Sequence, residues 1–167
     1  ARALAFASGM AAVSTTLLTL LKPGDHVVAA NSLYTATAKL FSHDLQGLGV
    51  EVDFVDPTDS EAFAGAIRPE TRLFYLETPS NPLMLLTDLT AVGRIARARG
   101  IVVVVDNTFA TPVLTRPLEL GADIVMHSAT KYLGGHSDVL GGVLVVKDKA
   151  LFDRLYFVQN ATGAVLG

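Results

Sequence analysis

An α/β domain with a mostly parallel central sheet and helices on both faces, three layers in all, is the fold class this sequence predicts. Short apolar runs alternate with amphipathic stretches and short connections along the whole chain, the pattern of strand–helix units that share one sheet. Val102-Val103-Val104-Val105 is β-branched throughout and too short for a helix buried on all sides, so it reads as a central strand covered on both faces. Several runs end in polar clusters, at 77–82, at 106–108, and at 127–131 with 134–138. Sheets of this kind bind ligands beyond the carboxyl ends of their strands.

The apolar runs place strands at 26–30, 51–55, 73–77, 101–106, 124–128 and 142–147. Between them, helices are expected at 10–21, 34–48, 60–67 and 88–99. The last has a cap candidate in Thr87 or Asp88, carries Arg94, Arg97 and Arg99 in its final turns, and stops at Gly100. The uncharged stretch 3–21 lies between Arg2 and Lys22 and is long enough to suggest a signal or membrane segment. Ser8, Gly9, Ser14, Thr15, Thr16 and Thr19 interrupt it and Pro23-Gly24-Asp25 stops it, so it reads as a buried helix. No repeat, low-complexity tract or linker divides residues 1–167, and one domain is expected. The chain opens without Met and closes on 163–167 without a domain-ending pattern, so it reads as an excerpt of a longer protein.

The 167 residues are 50% hydrophobic and 17% charged, with a mean hydropathy of +0.43. Such a composition excludes intrinsic disorder. A formal charge of −3 gives no basic footprint for nucleic acid. The absence of cysteine excludes a disulfide scaffold and a thiolate metal site and is compatible with the cytoplasm, the expected location. His26, His43, His127 and His136 lack metalloenzyme spacing, and no metal is expected.

Three features at the strand ends bear on chemistry. Asp106 follows a β-branched run, and a buried carboxylate there needs a cation or donors, unless it only caps the following turn. Lys131 stands apart from Lys22, Lys39, Lys147 and Lys149, which sit at helix ends, helix faces or turns. It follows a strand and a Ser-Ala-Thr step. Either its head reaches water or it is a desolvated amine suited to Schiff-base chemistry. Ser8-Gly9-Met10 opens a helix and could bind an anion, or be an ordinary N-cap. The P-loop pattern is absent; Gly47-Leu48-Gly49 is an incomplete dinucleotide fingerprint before a strand, which argues against a nicotinamide oxidoreductase; and Gly135-His136-Ser137-Asp138-Val139 lacks the last glycine of a nucleophile elbow.

Five pieces, in order, resemble the pyridoxal-phosphate enzymes of cysteine and methionine metabolism. This family comprises cystathionine synthases and lyases, methionine γ-lyases and homoserine-ester sulfhydrylases. The pieces are SGMAA at 8–12, LYTAT at 33–37, ETPSNP at 77–82, VDNTFATP at 105–112 and SATKYLGGHSDVLGG at 128–142. The resemblance implies the large cofactor-binding domain of a fold type I transferase. In it Lys131 would hold pyridoxal 5′-phosphate as a Schiff base, and Asp106 would pair with the pyridinium nitrogen. Gly9 and Met10 N–H groups, with the Ser128 and Thr130 hydroxyls, would hold the phosphate. Tyr34 would stack on the ring and assist proton transfer, Asn81 would bond the phenolic oxygen, and Thr108 would support the ring.

The implied activity is γ-replacement or elimination on sulfur amino acids or O-acylhomoserines, of synthase or sulfhydrylase type, with cystathionine γ-lyase or methionine γ-lyase type elimination as the alternative. A structural domain without cofactor is the non-enzymatic reading. Thr35 and Ala36 stand where the family commonly has glycines, and the cysteine of typical methionine γ-lyases is absent. The family's N-terminal segment, which lends a Tyr and an Arg to a neighbouring subunit, and its C-terminal domain find no counterpart among these residues. A homo-oligomer is therefore implied, at least a dimer with shared sites and by family habit a tetramer, acting on a small amino-acid substrate and binding neither nucleic acid nor membrane.

Overall fold

The computed structural model describes residues 1–167. Its strands are β1 (Arg2–Phe6), β2 (His26–Ala30), β3 (Glu51–Val55), β4 (Thr71–Glu77), β5 (Val102–Asp106), β6 (Ile124–Ser128) and β7 (Gly142–Val146). They form one sheet in the order β1-β7-β6-β5-β4-β2-β3. The neighbouring pairs from β3 to β6 are parallel, whereas β7 is antiparallel to both β6 and β1. The predicted strands all form, with ends shifted by at most two residues.

Helices α1 (Gly9–Leu20), α2 (Thr35–Lys39) and α6 (Lys149–Thr162) cover one face, while α3 (Ser60–Gly65) and α4 (Leu89–Arg97) cover the other. A short α5 (Thr111–Leu114) follows β5. The β5 valines divide as alternation requires: Val104 packs with Val13, Tyr75 and Met126, whereas Val103 and Val105 pack with Phe74, Leu76 and Val92. Each fully buried side chain of this size contributes roughly 1.5–3 kcal/mol, which fixes β5 at the centre. On α4, the Asp88 carboxylate accepts from the Ala91 N–H at 2.9 Å, and Gly100 takes the left-handed backbone, φ +66°, that stops the segment.

Three expectations need correction. Residues 3–21 are not one helix, because residues 2–6 form an edge strand whose Leu4 and Phe6 are buried while Ala3 and Ala5 are exposed. Alanine at the outward positions concealed that alternation. The helix expected at 34–48 is α-helical over α2, π-helical over Leu40–Leu45 and α-helical again at 46–47; such π-helical insertions recur near functional sites. Helix α6 escaped the pattern because its apolar residues point both ways: Leu155 is buried while Tyr156 and Phe157 are exposed. Asp148 caps it, its carboxylate accepting from the Leu151 N–H at 2.6 Å.

Candidate active site

In β4, β5 and β6 the last residues facing α1 are Glu77, Asp106 and Ser128, following Tyr75, Val104 and Met126 on the same face. The β4–β5 register sets Glu77 directly opposite Asp106. Above these strand ends lies a cavity of about 790 Å³. Gly9, Met10, Tyr34, Asn81, Asp106, Thr108, Ser128, Thr130 and Lys131, the site residues expected from sequence, all line it. Lys131 is the single lysine or arginine in that lining.

The α1 end of the cavity is built by close approach. Ser8 is extended, and its Oγ accepts from the Ala11 N–H at 3.0 Å. The N–H groups of Gly9 and Met10 stand in the first turn, where no intrahelical acceptor exists. A Cβ on Gly9 would lie 2.9 Å from the Ser128 Cβ, so only glycine lets the helix start sit on the end of β6. A Cβ on Gly142, where β7 returns beside Ser128, would collide with the Ser8 carbonyl oxygen.

The lining also holds two acids, Asp106 and Glu77. Asp106 is 6% exposed, and its Oδ1 accepts from the Thr108 N–H at 3.0 Å and the Thr108 hydroxyl at 2.5 Å. No protein donor reaches Oδ2. Burial pushes the Asp106 carboxyl above its usual range, against the pull of the Thr108 bonds. The Thr108 oxygen also accepts from the Ser128 N–H at 2.8 Å and so joins the ends of β5 and β6. Glu77 is equally buried; burial first and the Asp106 charge second raise it from 4.5 to about 7. The Tyr75 hydroxyl lies buried without a hydrogen-bond partner, and burial, then the charges of Asp106 and Glu77, push its phenol upward.

Lys131 departs from one expectation: it is exposed rather than desolvated. Its position is set by the backbone, since its N–H donates to the Ser128 carbonyl at 3.2 Å and its carbonyl accepts from the Gly135 N–H at 2.8 Å. The Thr130 hydroxyl donates to the Gly141 carbonyl at 3.3 Å and accepts from the Gly141 N–H at 3.1 Å, which closes the 130–141 loop. Tyr34 and Asn81 are exposed side chains on the cavity wall, without hydrogen bonds of their own to the protein. Their backbone N–H groups donate to Glu77, at 2.6 Å and 3.1 Å. Sequence reasoning missed Glu77 as a site residue, and also Phe109 and Tyr132, whose rings meet edge to face at 6.0 Å in the cavity lining. The acid ending a strand buried from Leu73 onward was the available signal for Glu77.

Fold and pocket together define an α/β domain in which helix-start donors, two buried acids and a single lysine share the lining of one cavity. The whole chain, residues 1–167, matches the family described as Cys/Met metabolism PLP-dependent enzyme, and it belongs to that family. It is 52% identical to a probable cystathionine γ-synthase of Herpetosiphon aurantiacus, over 99% of this chain and 51% of that protein. It is 53% identical to a cystathionine γ-lyase of Bacillus subtilis, over 98% of this chain and 43% of that protein. The crystal structure of cystathionine γ-lyase from Lactobacillus plantarum complexed with L-serine superposes with a TM-score of 0.97 at 44% identity, covering this chain entirely and 44% of that one. The chain thus spans about half the length of these relatives. No helix is long and apolar enough to cross a membrane.

Proposed function

We propose that this chain is the cofactor-binding large domain of a pyridoxal-phosphate-dependent enzyme carrying out γ-replacement or elimination on sulfur amino acids or O-acylhomoserines. The observation that carries the reading is the convergence of Lys131, Asp106 and the start of α1 on one cavity. The residues present fit the cofactor. Asp106 offers an oxygen that no protein donor satisfies, the first N–H groups of α1 have no acceptor in the helix, and Gly9 leaves open the space a Cβ would fill.

When bound, pyridoxal phosphate supplies an electron sink for the substrate's Cα carbanion. Asp106 would hold negative charge against the ring nitrogen and so keep it protonated. The Gly9 and Met10 N–H groups and the Ser128 hydroxyl would hold the phosphate, and the Thr130 hydroxyl would join them by turning its proton away from the Gly141 carbonyl; Thr108 fixes Asp106 and the end of β6. Tyr34 would cover the ring, and the Asn81 amide would donate to its phenolic oxygen. The Lys131 amine would anchor the cofactor and, when free, would serve as the base for the substrate's Cα proton. The Tyr34 phenol moves a proton near the leaving group on Cγ. A lone lysine is a thin complement of cations for a phosphate, which supports a second copy of the protein completing the site, in a dimer or higher homo-oligomer. Synthase- and lyase-named relatives at similar identity support both replacement and elimination.

Borohydride reduction of the full-length protein, followed by mass spectrometry of its digest, tests the reading. The expected product is a pyridoxyl group on Lys131. A label on Lys22, Lys39, Lys147 or Lys149 overturns the assignment, and no label together with no cofactor absorbance leaves a structural domain. Supplying O-acylhomoserine with cysteine then separates the two reactions: cystathionine marks replacement, a keto acid marks elimination.

A further inference from the structure

The geometry points to Glu77 as a positioning residue that fixes Tyr34 and Asn81, two walls of the cavity, through one buried carboxylate. This assignment rests on the proposed cofactor site. Oε2 of Glu77 accepts from the Tyr34 N–H at 2.6 Å, and Oε1 accepts from the Asn81 N–H at 3.1 Å. Tyr34 precedes α2 and lies 43 residues earlier in the chain, whereas Asn81 belongs to the loop after β4. Because neither side chain is held by a hydrogen bond of its own, each depends on where its backbone sits. Both backbones hang on this carboxylate.

The carboxylate is not a casual filler. Glu77 is 6% exposed and stands opposite Asp106 across β4 and β5. Placing a second acid there is unfavourable, since like charges this close destabilise each other. What a carboxylate provides, and an amide or apolar side chain does not, is two acceptor oxygens for two convergent N–H donors. Once Glu77 is ionised, above about pH 7, these bonds are roughly twice as strong as neutral ones. A glutamine could accept from one N–H and would turn its own NH₂ toward the other. The strand end thereby transmits the rigidity of the sheet to two otherwise exposed side chains, one expected on the ring's face and one at its edge.

The test uses the full-length protein, its Glu77→Gln variant, and pyridoxal 5′-phosphate as the probe. Amide hydrogen exchange, resolved to single residues on the cofactor-free proteins, should show the Tyr34 and Asn81 amides protected in the wild type. At least one of them should exchange at least about tenfold faster in the variant. Cofactor affinity should weaken about tenfold. At saturating cofactor, circular dichroism of its visible absorption band should change, because the ring is held differently; a substitution that only loosened the fold would leave that saturated signal intact. Unchanged protection, affinity and dichroism in the variant would overturn the assignment. If the variant does not fold, the wild type decides alone: Tyr34 or Asn81 amides exchanging at the rate of exposed amides refute the tether. If the wild type binds no cofactor, the proposed function fails, while the exchange data still report on the tether.

Discussion

Raising the pH over the cofactor-free protein should cost it stability through Glu77. Burial and the Asp106 charge hold the Glu77 carboxyl at about 7 against an ordinary 4.5, with the Tyr34 and Asn81 N–H groups pulling the other way. Between those values the folded protein keeps a proton that the unfolded chain has released. The folded state binds more protons there, so stability is intact below the unfolded value and falls as pH rises through about 7. Each tenfold change in an ionisation constant corresponds to about 1.4 kcal/mol, which makes the ceiling about 3 kcal/mol. Asp106, raised by burial, acts in the same direction. His26 and His127, lowered mainly by burial, act oppositely, losing stability as pH falls below their ordinary range. Urea unfolding of the cofactor-free wild type and Glu77→Gln, from about pH 4 to about pH 8, removes these shared contributions by difference. The wild type should lose up to about 3 kcal/mol relative to the variant across the window. A difference that stays level to within about 0.5 kcal/mol refutes the burial argument.

Asp106→Asn keeps an acceptor for the Thr108 N–H and hydroxyl, so the turn should survive while turnover by the holoenzyme falls roughly hundredfold with little change in KM; unchanged turnover in steady-state kinetics would return Asp106 to the role of a turn cap. Gly9→Ala forces a Cβ to 2.9 Å from Ser128 and should destabilise the protein by about 1–3 kcal/mol in urea unfolding. The same variant should weaken cofactor binding, which spectroscopic titration reads. Residues 1–167 expressed alone expose Val113 (87%), Leu114 (80%), Leu86 (67%) and Leu83 (66%). That segment should self-associate in sedimentation experiments and bind the cofactor more weakly than the full-length protein.

The strands were legible because a strand buried on both faces is a short β-branched run, and its polar end marks where the sheet meets solvent. Asp106 and Lys131 stood out for that reason. Strand β1 was hidden because its outward residues are alanines, and α6 because Leu155 and Gln159 alone are buried along it. The exposure of Lys131 could not be read either, since what surrounds an amine is decided by the loop that returns from β6 to β7. Glu77 was visible as the polar end of β4, but its partners were not. Its pairing with Asp106 depends on β4 lying beside β5, and its bond to Tyr34 on β2 lying beside β4 rather than only beside β3. Neighbour order is a tertiary property that local pattern does not encode.

The charge layout narrows what the cavity can hold. At the start of α1 the donors are N–H groups, which favour negative charge. The same lining holds two buried carboxylates, both raised in pKa by burial and Glu77 further by its neighbour. A ligand anionic at both ends, such as a bisphosphate, would bring charge against Asp106 and Glu77. One neutral at both ends would leave the Asp106 Oδ2 without a counter-charge. A ligand with an anionic group at one end and a protonated nitrogen at the other meets complementary charge at both, and Lys131 belongs to the same lining. Binding such a ring should stabilise the ionised form of Asp106 and so reverse part of the cost of its burial. The site is therefore electrostatically incomplete without its ligand, and the chain's own acids carry that cost until the ligand arrives.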